Sequence, residues 1–338
     1  MSLGPLMIGL SGTSLEDRER EWLASPLVGG VILFARNFSG RRQLERLVEE
    51  IQAIRSPPLL VGVDQEGGRV QRFGRPFSRL PPARAFGRLY DEHPSMAERS
   101  TQTVAWLMAA ELRAVGVDLS FAPVVDLDSG VADVIGDRAL HASHEVVSRL
   151  ALRVNAGLRD AGMVATAKHF PTHAGARSDS HNALAVDHRD HEALCDDLVP
   201  YRRLINAGLH SIMVGHVIFP ELDPLPASLS PWWIETQLRG ELRYSGAVIS
   251  DDMGMAGASV AGGLVERVRK SLDAGCDLVL VCNELDQIPA LLAKLDGYVN
   301  PSGQLRLMRL RGADSPSWDE LRASSAWQEA RAVLDVMN

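Results

Sequence analysis

Short apolar runs that give way abruptly to charged residues recur along this chain, and segments with helical periodicity separate them. The pattern occurs at residues 61–64 and 247–251, and it is most pronounced at 163–181, where Lys, His, Arg and Asp follow an apolar segment. Continuous apolar runs of this length are typical of strands buried on both faces of a parallel sheet. The chain is therefore predicted to be an α/β protein.

The apolar runs predict eight strands with helices between them. The strands are expected at Leu6–Leu10, Leu27–Phe34, Leu59–Val63, Val117–Val125, Met163–Ala167, Ser211–Val214, Gly246–Ser250 and Asp277–Val281. Eight β-α units are the number at which a parallel barrel closes, so the predicted fold is a (β/α)8 TIM-like barrel. We expect a single domain over residues 1–338, with a helical tail from about residue 315 packed outside it.

An open, doubly wound sheet is the alternative architecture. It would place a glycine-rich phosphate turn after the first strand, and neither the residues after Leu10 nor Gly67-Gly68 match that fingerprint. Helix starts follow ordinary capping rules in both architectures. Ser14 with Asp17 is expected to open the first helix as a capping box, and Ser230-Pro231 a later one.

Composition excludes several classes of partner. The formal charge of -8 at pH 7 makes nucleic acid and acidic membrane surfaces unfavourable partners. The apolar start at Leu6–Leu10 is too short to span a bilayer, so the cytoplasm is the expected compartment. Cys195, Cys276 and Cys282 lack a metal-like or paired spacing. We expect a monomer that binds a small-molecule substrate and needs no cofactor or metal.

Polar side chains follow most of the predicted strands. In a parallel barrel the carboxyl ends of all strands meet at one mouth, so these residues are predicted to converge there. The set comprises Asp64, Asp126, Asp128, Lys168, His169, His216, Asp251 and Asp252.

Asp251 is the candidate nucleophile or charge-stabilising group of this set. A carboxylate fixed at a strand end can approach an electrophilic carbon without ordering a flexible loop. The alternative is an Asp that caps the following turn, and this is the role expected for the neighbouring Asp252, which points elsewhere if the strand geometry persists.

Asp179 and His181 form a second candidate group, in a loop rich in Ala, Ser and Gly. One intervening residue lets the carboxylate orient the imidazole and favour its charged form, so the pair can deliver a proton. Taken alone, the pair is equally consistent with an exposed Asp and His in a solvated loop.

Lys168 and His169 offer hydrogen-bond donors to hydroxyl or carbonyl oxygens of a substrate. The alternatives are an internal salt bridge for the lysine and a hydrogen-bonded core position for the histidine. Arg72 and Arg138 lie in long loops and are ordinary surface residues unless they reach the same mouth.

Taken together, the motifs resemble glycoside hydrolase family 3, and within it the single-domain bacterial β-N-acetylglucosaminidases. The resemblance rests on the order and spacing of the segments 29–37, 63–72, 136–138 and 250–253, which read GGVILFARN, VDQEGGRVQR, GDR and SDDM. It covers nearly the whole predicted barrel.

The resemblance implies a retaining mechanism. Asp251 would attack the anomeric carbon and form a covalent glycosyl-enzyme intermediate, which water then resolves. His181, held by Asp179, would act as acid and base in place of the second carboxylate that most retaining glycosidases use. An imidazole titrates near neutral pH, so it can give a proton to the leaving oxygen and later take one from water.

The resemblance also implies the substrate. The terminal sugar would be held by Asp64, Arg72, Arg138, Lys168 and His169, with His216 lining the site near the nucleophile. The expected substrate is a β-1,4-linked N-acetylglucosamine on an anhydromuropeptide. Its cleavage belongs to peptidoglycan recycling, which in some bacteria feeds the signals for β-lactamase induction.

The chain departs from the family pattern mainly beside the proposed proton donor. Thr172, Ala174 and Gly175 replace the usual Gly, Gly and Asp, and 253–255 read MGM in place of LSM. Loop dynamics or leaving-group preference are expected to differ. We expect no second sandwich domain within these 338 residues, so barrel loops alone would complete the site.

Two other classes of function remain open from the residues alone. His169, His173, His181 and His216, with several Asp, could form a metal centre that activates water, although Lys168 would repel a cation. The other is a sugar-binding barrel without turnover.

Overall fold

A computed structural model describes residues 3–176 and 184–337 of the chain. Its main sheet consists of eight parallel strands: β1 (Leu6–Ile8), β2 (Val28–Leu33), β3 (Leu60–Val63), β4 (Leu119–Ser120), β5 (Thr166–Phe170), β6 (Ser211–Val214), β7 (Ala247–Asp252) and β8 (Leu278–Val281). The strands follow one another in the order β4-β3-β2-β1-β8-β7-β6-β5. Because every neighbour pairs in parallel, all carboxyl ends lie at the same edge.

Residues 122–125 close this sheet into a ring. Lys168 N donates to Pro123 O at 3.1 Å, and Val125 N donates to Lys168 O at 2.8 Å, so the segment after β4 pairs with β5 across the last gap. The predicted (β/α)8 barrel is confirmed, and the open doubly wound sheet is wrong.

The strands read as unbroken apolar runs because both of their faces are buried. In β1, the side chain of Met7 packs with the cluster inside the barrel, whereas Leu6 and Ile8 pack with the larger cluster between barrel and helices. Successive strand side chains point to opposite faces, so a strand that is covered on both sides needs an apolar residue at every position.

Helices surround the barrel. They are α1 (Asp17–Ala24), α2 (Arg41–Ala53), α3 (Ala83–Glu92), α4 (Pro94–Arg113), α5 (His144–Asp160), α6 (Cys195–Asn206), α7 (Leu264–Asp273), α8 (Ile288–Lys294), α9 (Pro301–Met308), α10 (Trp318–Ala323) and α11 (Ser325–Met337), with a wide π-type helix at Trp232–Glu241 between β6 and β7. Single-turn 3-10 helices occur at Ala35–Asn37, Gly136–Arg138, Ala227–Leu229 and Leu285–Gln287, and a longer one at Ala256–Ala261. Small strands outside the barrel lie at Gln65–Gly67, Val70–Gln71, Ala185–Val186, Val217–Phe219 and Asp223–Pro226.

Several predicted strand boundaries are wrong, and two of these errors concern the mouth of the barrel. β5 runs to Phe170, so Lys168 and His169 lie within the strand, and β7 runs on to Asp252. The strands extend through polar residues because those side chains find partners in the barrel mouth. β4 is shorter than predicted, since Pro123 has no N–H to continue a ladder.

Helix starts agree with the prediction in one case of two. The hydroxyl of Ser230 accepts a hydrogen bond from Trp233 N at 3.1 Å, as predicted for an N-cap. The predicted cap at Ser14 is wrong: α1 begins at Asp17, and the reciprocal contact is made by Glu16 and Glu19, with Glu16 N donating to Glu19 Oε2 at 3.0 Å.

The segment after β8 closes the amino-terminal end of the barrel. Leu307 and Leu310 belong to the apolar cluster inside the barrel. Asp277, just before β8, is fully buried there and accepts hydrogen bonds from Arg239 Nη2 at 3.0 Å and Arg306 Nη2 at 2.6 Å. This end of the barrel is therefore sealed by packing and by paired charges.

Candidate active site

A cavity of about 460 Å³ opens at the carboxyl ends of the strands, a volume typical of small-molecule sites. One part of its wall is apolar and is formed by Ile32, Phe34, Met213 and Leu280, while the other part is polar and includes Asp64, Glu66, Arg72, Arg138, Lys168, His169 and Asp251. With Asp252, seven residues singled out in distant parts of the sequence thus share one cavity, as convergence of strand ends requires.

Asp251 lies near the end of β7 and is partly exposed to the cavity. Its Oδ1 accepts a hydrogen bond from Asp252 N at 2.8 Å, which orients the carboxylate. Asp252 also borders the cavity, but its Oδ1 accepts hydrogen bonds from Gly254 N at 3.1 Å and Cys282 N at 2.9 Å. Asp252 therefore caps the following turn, the role expected from its position, and Asp251 is the better placed of the two to meet a ligand.

Lys168 crosses the mouth from β5 to two carboxylates that follow β3. Its Nζ contacts Asp64 Oδ1 at 2.8 Å and Glu66 Oε1 at 2.6 Å. The lysine side chain is 3% exposed, so the strand buries a charge that only paired carboxylates make tolerable. Lys168 thus forms the internal salt bridges that were one of its predicted alternatives, and it also lies in the cavity wall.

Arg138 meets the same carboxylate from the 3-10 turn at Gly136–Arg138. Its Nε donates to Glu66 Oε2 at 2.8 Å, and its Nη2 donates to Glu66 Oε1 at 2.8 Å, a bidentate arrangement that fixes the plane of the guanidinium. The same Nη2 lies 3.5 Å from His169 Nε2. Arg138 is therefore an element of the mouth and not a surface residue.

These contacts control the ionisation of the cluster. Burial alone would raise the pKa of Glu66, but the charges of Lys168 and Arg138 outweigh it and hold that pKa far below its ordinary value. Burial would likewise lower the pKa of Lys168, yet Asp64 and Glu66 raise it. Burial opposes the charge of Arg138 in the same way, and Glu66 raises its pKa. All three groups are charged at neutral pH.

Asp126 organises a second pair of residues beside this cluster. Its Oδ2 lies 2.8 Å from His169 Nδ1, and its Oδ1 accepts a hydrogen bond from His173 N at 2.7 Å. Burial raises the pKa of Asp126, but the charge of His169 and its hydrogen bond bring it below the ordinary value. Burial and the nearby His169 lower the pKa of His173 to about 4, so His173 is neutral at pH 7.

Arg72 lies at the rim of the cavity. Its Nη2 is 3.7 Å from Asp64 Oδ2, and its guanidinium carbon is 5.8 Å from the centre of the Phe34 ring, within the range of cation-π attraction. The side chain remains about a third exposed. Arg72 can therefore still donate hydrogen bonds to a ligand.

His216 differs from the other predicted binding residues. Its side chain is fully buried, with Nδ1 at 2.6 Å from Ser228 Oγ and Nε2 at 2.9 Å from the carbonyl oxygen of Asp252. Among the described residues it does not belong to the cavity wall. His216 therefore lies behind the end of β7, next to the residue that follows Asp251, and a direct contact between His216 and a sugar stays a prediction.

Asp179 and His181 lie outside the described residues, in the segment 177–183. The residues on either side of that segment are tied to one another. Thr172 Oγ1 donates to Asp197 Oδ1 at 2.6 Å, and Arg189 donates to Asp197 Oδ2 at 2.9 Å through Nη1 and to Asp187 Oδ2 at 2.7 Å through Nη2. Thr172, one of the departures from the family pattern, is thus a buried hydrogen-bonding residue.

Glu66 is the main residue of the mouth that the sequence analysis missed. It lies in the segment 63–72, which reads VDQEGGRVQR, but nothing local to it signals that Lys168 and Arg138 converge on it. Asp126 is predicted from the sequence as a strand-end residue, but its contacts with His169 and His173 are not.

In 3–176 and 184–337 no group of three or more His, Cys, Asp or Glu is arranged to hold a metal ion, and no helix there is long and apolar enough to cross a membrane.

Parallel barrels with polar residues at the carboxyl ends of their strands support many reactions, and the family match identifies this one as a TIM-barrel glycoside hydrolase. The chain belongs to glycoside hydrolase family 3: the model of the glycosyl hydrolase family 3 N terminal domain matches residues 6–306. The resemblance inferred from the motifs is thereby confirmed.

Individual relatives extend over the whole chain. A Beta-hexosaminidase of Thioalkalivibrio sulfidiphilus (strain HL-EbGR7) is 49% identical over 338 residues, which are 100% of this chain and 97% of the relative. A Beta-hexosaminidase of Alkalilimnicola ehrlichii (strain ATCC BAA-1101 / DSM 17681 / MLHE-1) is 51% identical over 98% of this chain and 95% of the relative. The crystal structure of NagZ from Neisseria gonorrhoeae in complex with N-trifluoroacetyl-D-glucosamine superposes with a TM-score of 0.94 at 39% identity, covering 100% of this chain and 98% of that one.

Proposed function

We propose that this glycoside hydrolase is a retaining exo-β-N-acetylglucosaminidase that removes terminal N-acetylglucosamine from GlcNAc-anhydromuropeptides during peptidoglycan recycling. The observation that carries the proposal is the shared cavity: Asp251 borders the same 460 Å³ space as Lys168, Arg138 and His169. A single sugar ring fits such a space, with its hydroxyls toward the charged wall.

Asp251 acts as the nucleophile in this proposal. Its carboxylate attacks the anomeric carbon, the bond to the leaving oxygen breaks, and a glycosyl ester forms, which water then hydrolyses with overall retention. The hydrogen bond from Asp252 N to Asp251 Oδ1 at 2.8 Å orients the carboxylate at the wall of the cavity. A pre-oriented carboxylate reduces the entropy that must be lost on reaching the transition state.

His181 serves as the general acid and then the general base, with Asp179 orienting it. The assignment rests on the family resemblance and on the chain position of the two residues between 173–176 and 184–189, which are anchored by Asp126 and Asp197. An imidazole can donate its proton to the leaving oxygen in the first step and accept one from water in the second.

The charged wall binds the terminal sugar. Asp64, with Arg72 and Lys168, offers both donors and an acceptor to vicinal hydroxyls, while Arg138 and His169 offer donors to an oxygen of the N-acetyl group. The substrate assignment is supported by the relatives named Beta-hexosaminidase and by the N-trifluoroacetyl-D-glucosamine in the Neisseria gonorrhoeae complex. In this proposal the enzyme acts as a cytoplasmic monomer and contributes to the signals for β-lactamase induction.

A metal-dependent hydrolase is less well supported. A metal site at this mouth would need its carboxylates free, but Asp64 and Glu66 are engaged by Lys168, whose charge would repel a cation. Activity that survives exhaustive chelation would agree with the glycosidase mechanism, and activity lost on chelation and restored by a metal would contradict it.

The experiment that tests the proposal follows hydrolysis of p-nitrophenyl N-acetyl-β-D-glucosaminide by proton NMR. We expect release of N-acetylglucosamine as the β-anomer at first, before mutarotation, and the same sugar from GlcNAc-anhydromuropeptides. Initial release of the α-anomer would exclude a covalent intermediate on Asp251. No release from either substrate would leave only the sugar-binding barrel without turnover.

A further inference from the structure

We propose that Glu66 is a positioning residue for sugar recognition: its buried carboxylate holds Lys168 and Arg138 in the orientation in which their remaining donors face the sugar. The inference rests on the proposed function, since it concerns how the same cavity binds its substrate. Glu66 is the one carboxylate at the mouth, among the described residues, that contacts both of these cations.

The donors of both cations are largely committed by these contacts. A lysine ammonium has three N–H donors, and Lys168 directs two of them to Asp64 and Glu66. Arg138 uses Nε and Nη2 on Glu66, and Nη1 donates to Val134 O at 3.2 Å. Lys168 and Arg138 each keep a small number of N–H groups outside these contacts. The contacts with Glu66 set the directions of those N–H groups.

The charge balance shows why a carboxylate is required at this position. Lys168 Nζ and Arg138 Nη2 both contact Glu66 Oε1, at 2.6 Å and 2.8 Å, so two positive groups lie close together on a single oxygen. Without the negative charge between them they would repel one another in a poorly solvated environment. A neutral side chain at position 66 would therefore let the two cations separate and lose their alignment.

A purely structural role is the alternative, and the barrel contains a matched example of it. Asp277 at the amino-terminal end has a fully buried side chain and also contacts two cations, Arg239 and Arg306, but it lies away from the cavity. Both carboxylates should contribute to stability, whereas only Glu66 should affect substrate binding.

The experiment compares Glu66→Gln with Asp277→Asn in the full chain. Hydrogen bonds to charged groups contribute about 1.5–3 kcal/mol, which corresponds to roughly tenfold to a hundredfold in binding. For Glu66→Gln we expect KM for the p-nitrophenyl substrate to rise by about that factor with kcat within about threefold, because interactions made equally in ground and transition states appear in KM. Asp277→Asn should keep the wild-type KM.

Two further measurements keep the result decisive. Glu66→Asp retains the charge but shortens the reach, so its KM should lie between those of wild type and Glu66→Gln. The increase in Tm on adding N-acetylglucosamine should be smaller in both Glu66 variants than in Asp277→Asn. The inference is falsified if both Glu66 variants keep the wild-type KM, lose only kcat, or fail to fold, since Glu66 would then have no separate role in binding.

Failure of this inference can be told apart from failure of the proposed function. A wild-type enzyme that releases N-acetylglucosamine, together with Glu66 variants of unchanged KM, would remove the role of Glu66 and leave the glycosidase assignment intact. A wild-type enzyme without turnover on either substrate would remove both.

Discussion

The two ends of the barrel carry similar charged clusters with different consequences. At the amino-terminal end, Asp277 is enclosed by Arg239, Arg306 and the segment that follows β8. At the carboxyl end, Glu66 is enclosed by Lys168 and Arg138, but the cluster borders an open cavity. Paired buried charges therefore do not mark a site by themselves; what distinguishes the functional end is that some donors still face solvent.

The largest expected effect comes from removing Asp251 at the open end. Asp251→Ala should reduce kcat by a factor on the order of 10⁴ or more, as expected when the nucleophile of a covalent mechanism is lost. The Tm should change by only a few degrees, because the side chain is partly exposed and lies outside the apolar clusters. Activity assays and thermal unfolding on one preparation measure both quantities, and near-normal turnover would move the nucleophile elsewhere.

The closed end should respond in the opposite way. Asp277→Ala leaves Arg239 and Arg306 without their buried partner, and breaking a buried ion pair on one side costs about 3–5 kcal/mol. We expect the free energy of unfolding, measured with urea at 25 °C, to fall by that amount while KM stays at the wild-type value. A large change in KM with unchanged stability would show that the two ends are not separable.

The sequence predicts the barrel and most residues at its mouth, but it does not predict the contacts between the charged side chains there. The β-α alternation predicts the barrel, and strand-end residues such as Asp64 and Asp251 are found because parallel strands end at one edge. The role of Glu66 escapes a local pattern because its partner Arg138 lies 72 residues away. The end of β5 is misjudged for a related reason: Lys168 reads as the start of a loop until its distant carboxylate partners are known.

Arg189 forms a third charged cluster, which can be compared with those of Glu66 and Asp277. It bonds to Asp187 and Asp197, and Asp197 also accepts from Thr172, so it links the residues on both sides of the segment that carries the proposed proton donor. We expect Arg189→Ala to lower kcat about tenfold to a hundredfold on muropeptides, whose leaving groups need protonation, and far less on aryl glycosides.

The control for Arg189 is Arg203→Ala. Arg203 on α6 forms an exposed pair with Glu145, and exposed pairs contribute little, so neither substrate should be affected. Equal losses of kcat on muropeptides and aryl glycosides in Arg189→Ala would mean that the cluster does not act through proton transfer.

The smallest expected effect is the acid sensitivity that Glu66 gives the open end. Its pKa is held below the ordinary value in the folded protein because Lys168 and Arg138 outweigh the effect of burial. The unfolded chain therefore binds a proton first as the pH falls, so the stability contributed by the ionised carboxylate is complete above pH ~4.5 and declines below it. For one group the decline is at most about 1.4 kcal/mol per pH unit. Urea unfolding from pH 6 to pH 3 should show a shallower loss of stability in Glu66→Gln than in wild type. Parallel curves would mean that the pKa of Glu66 is the same in the folded and the unfolded chain.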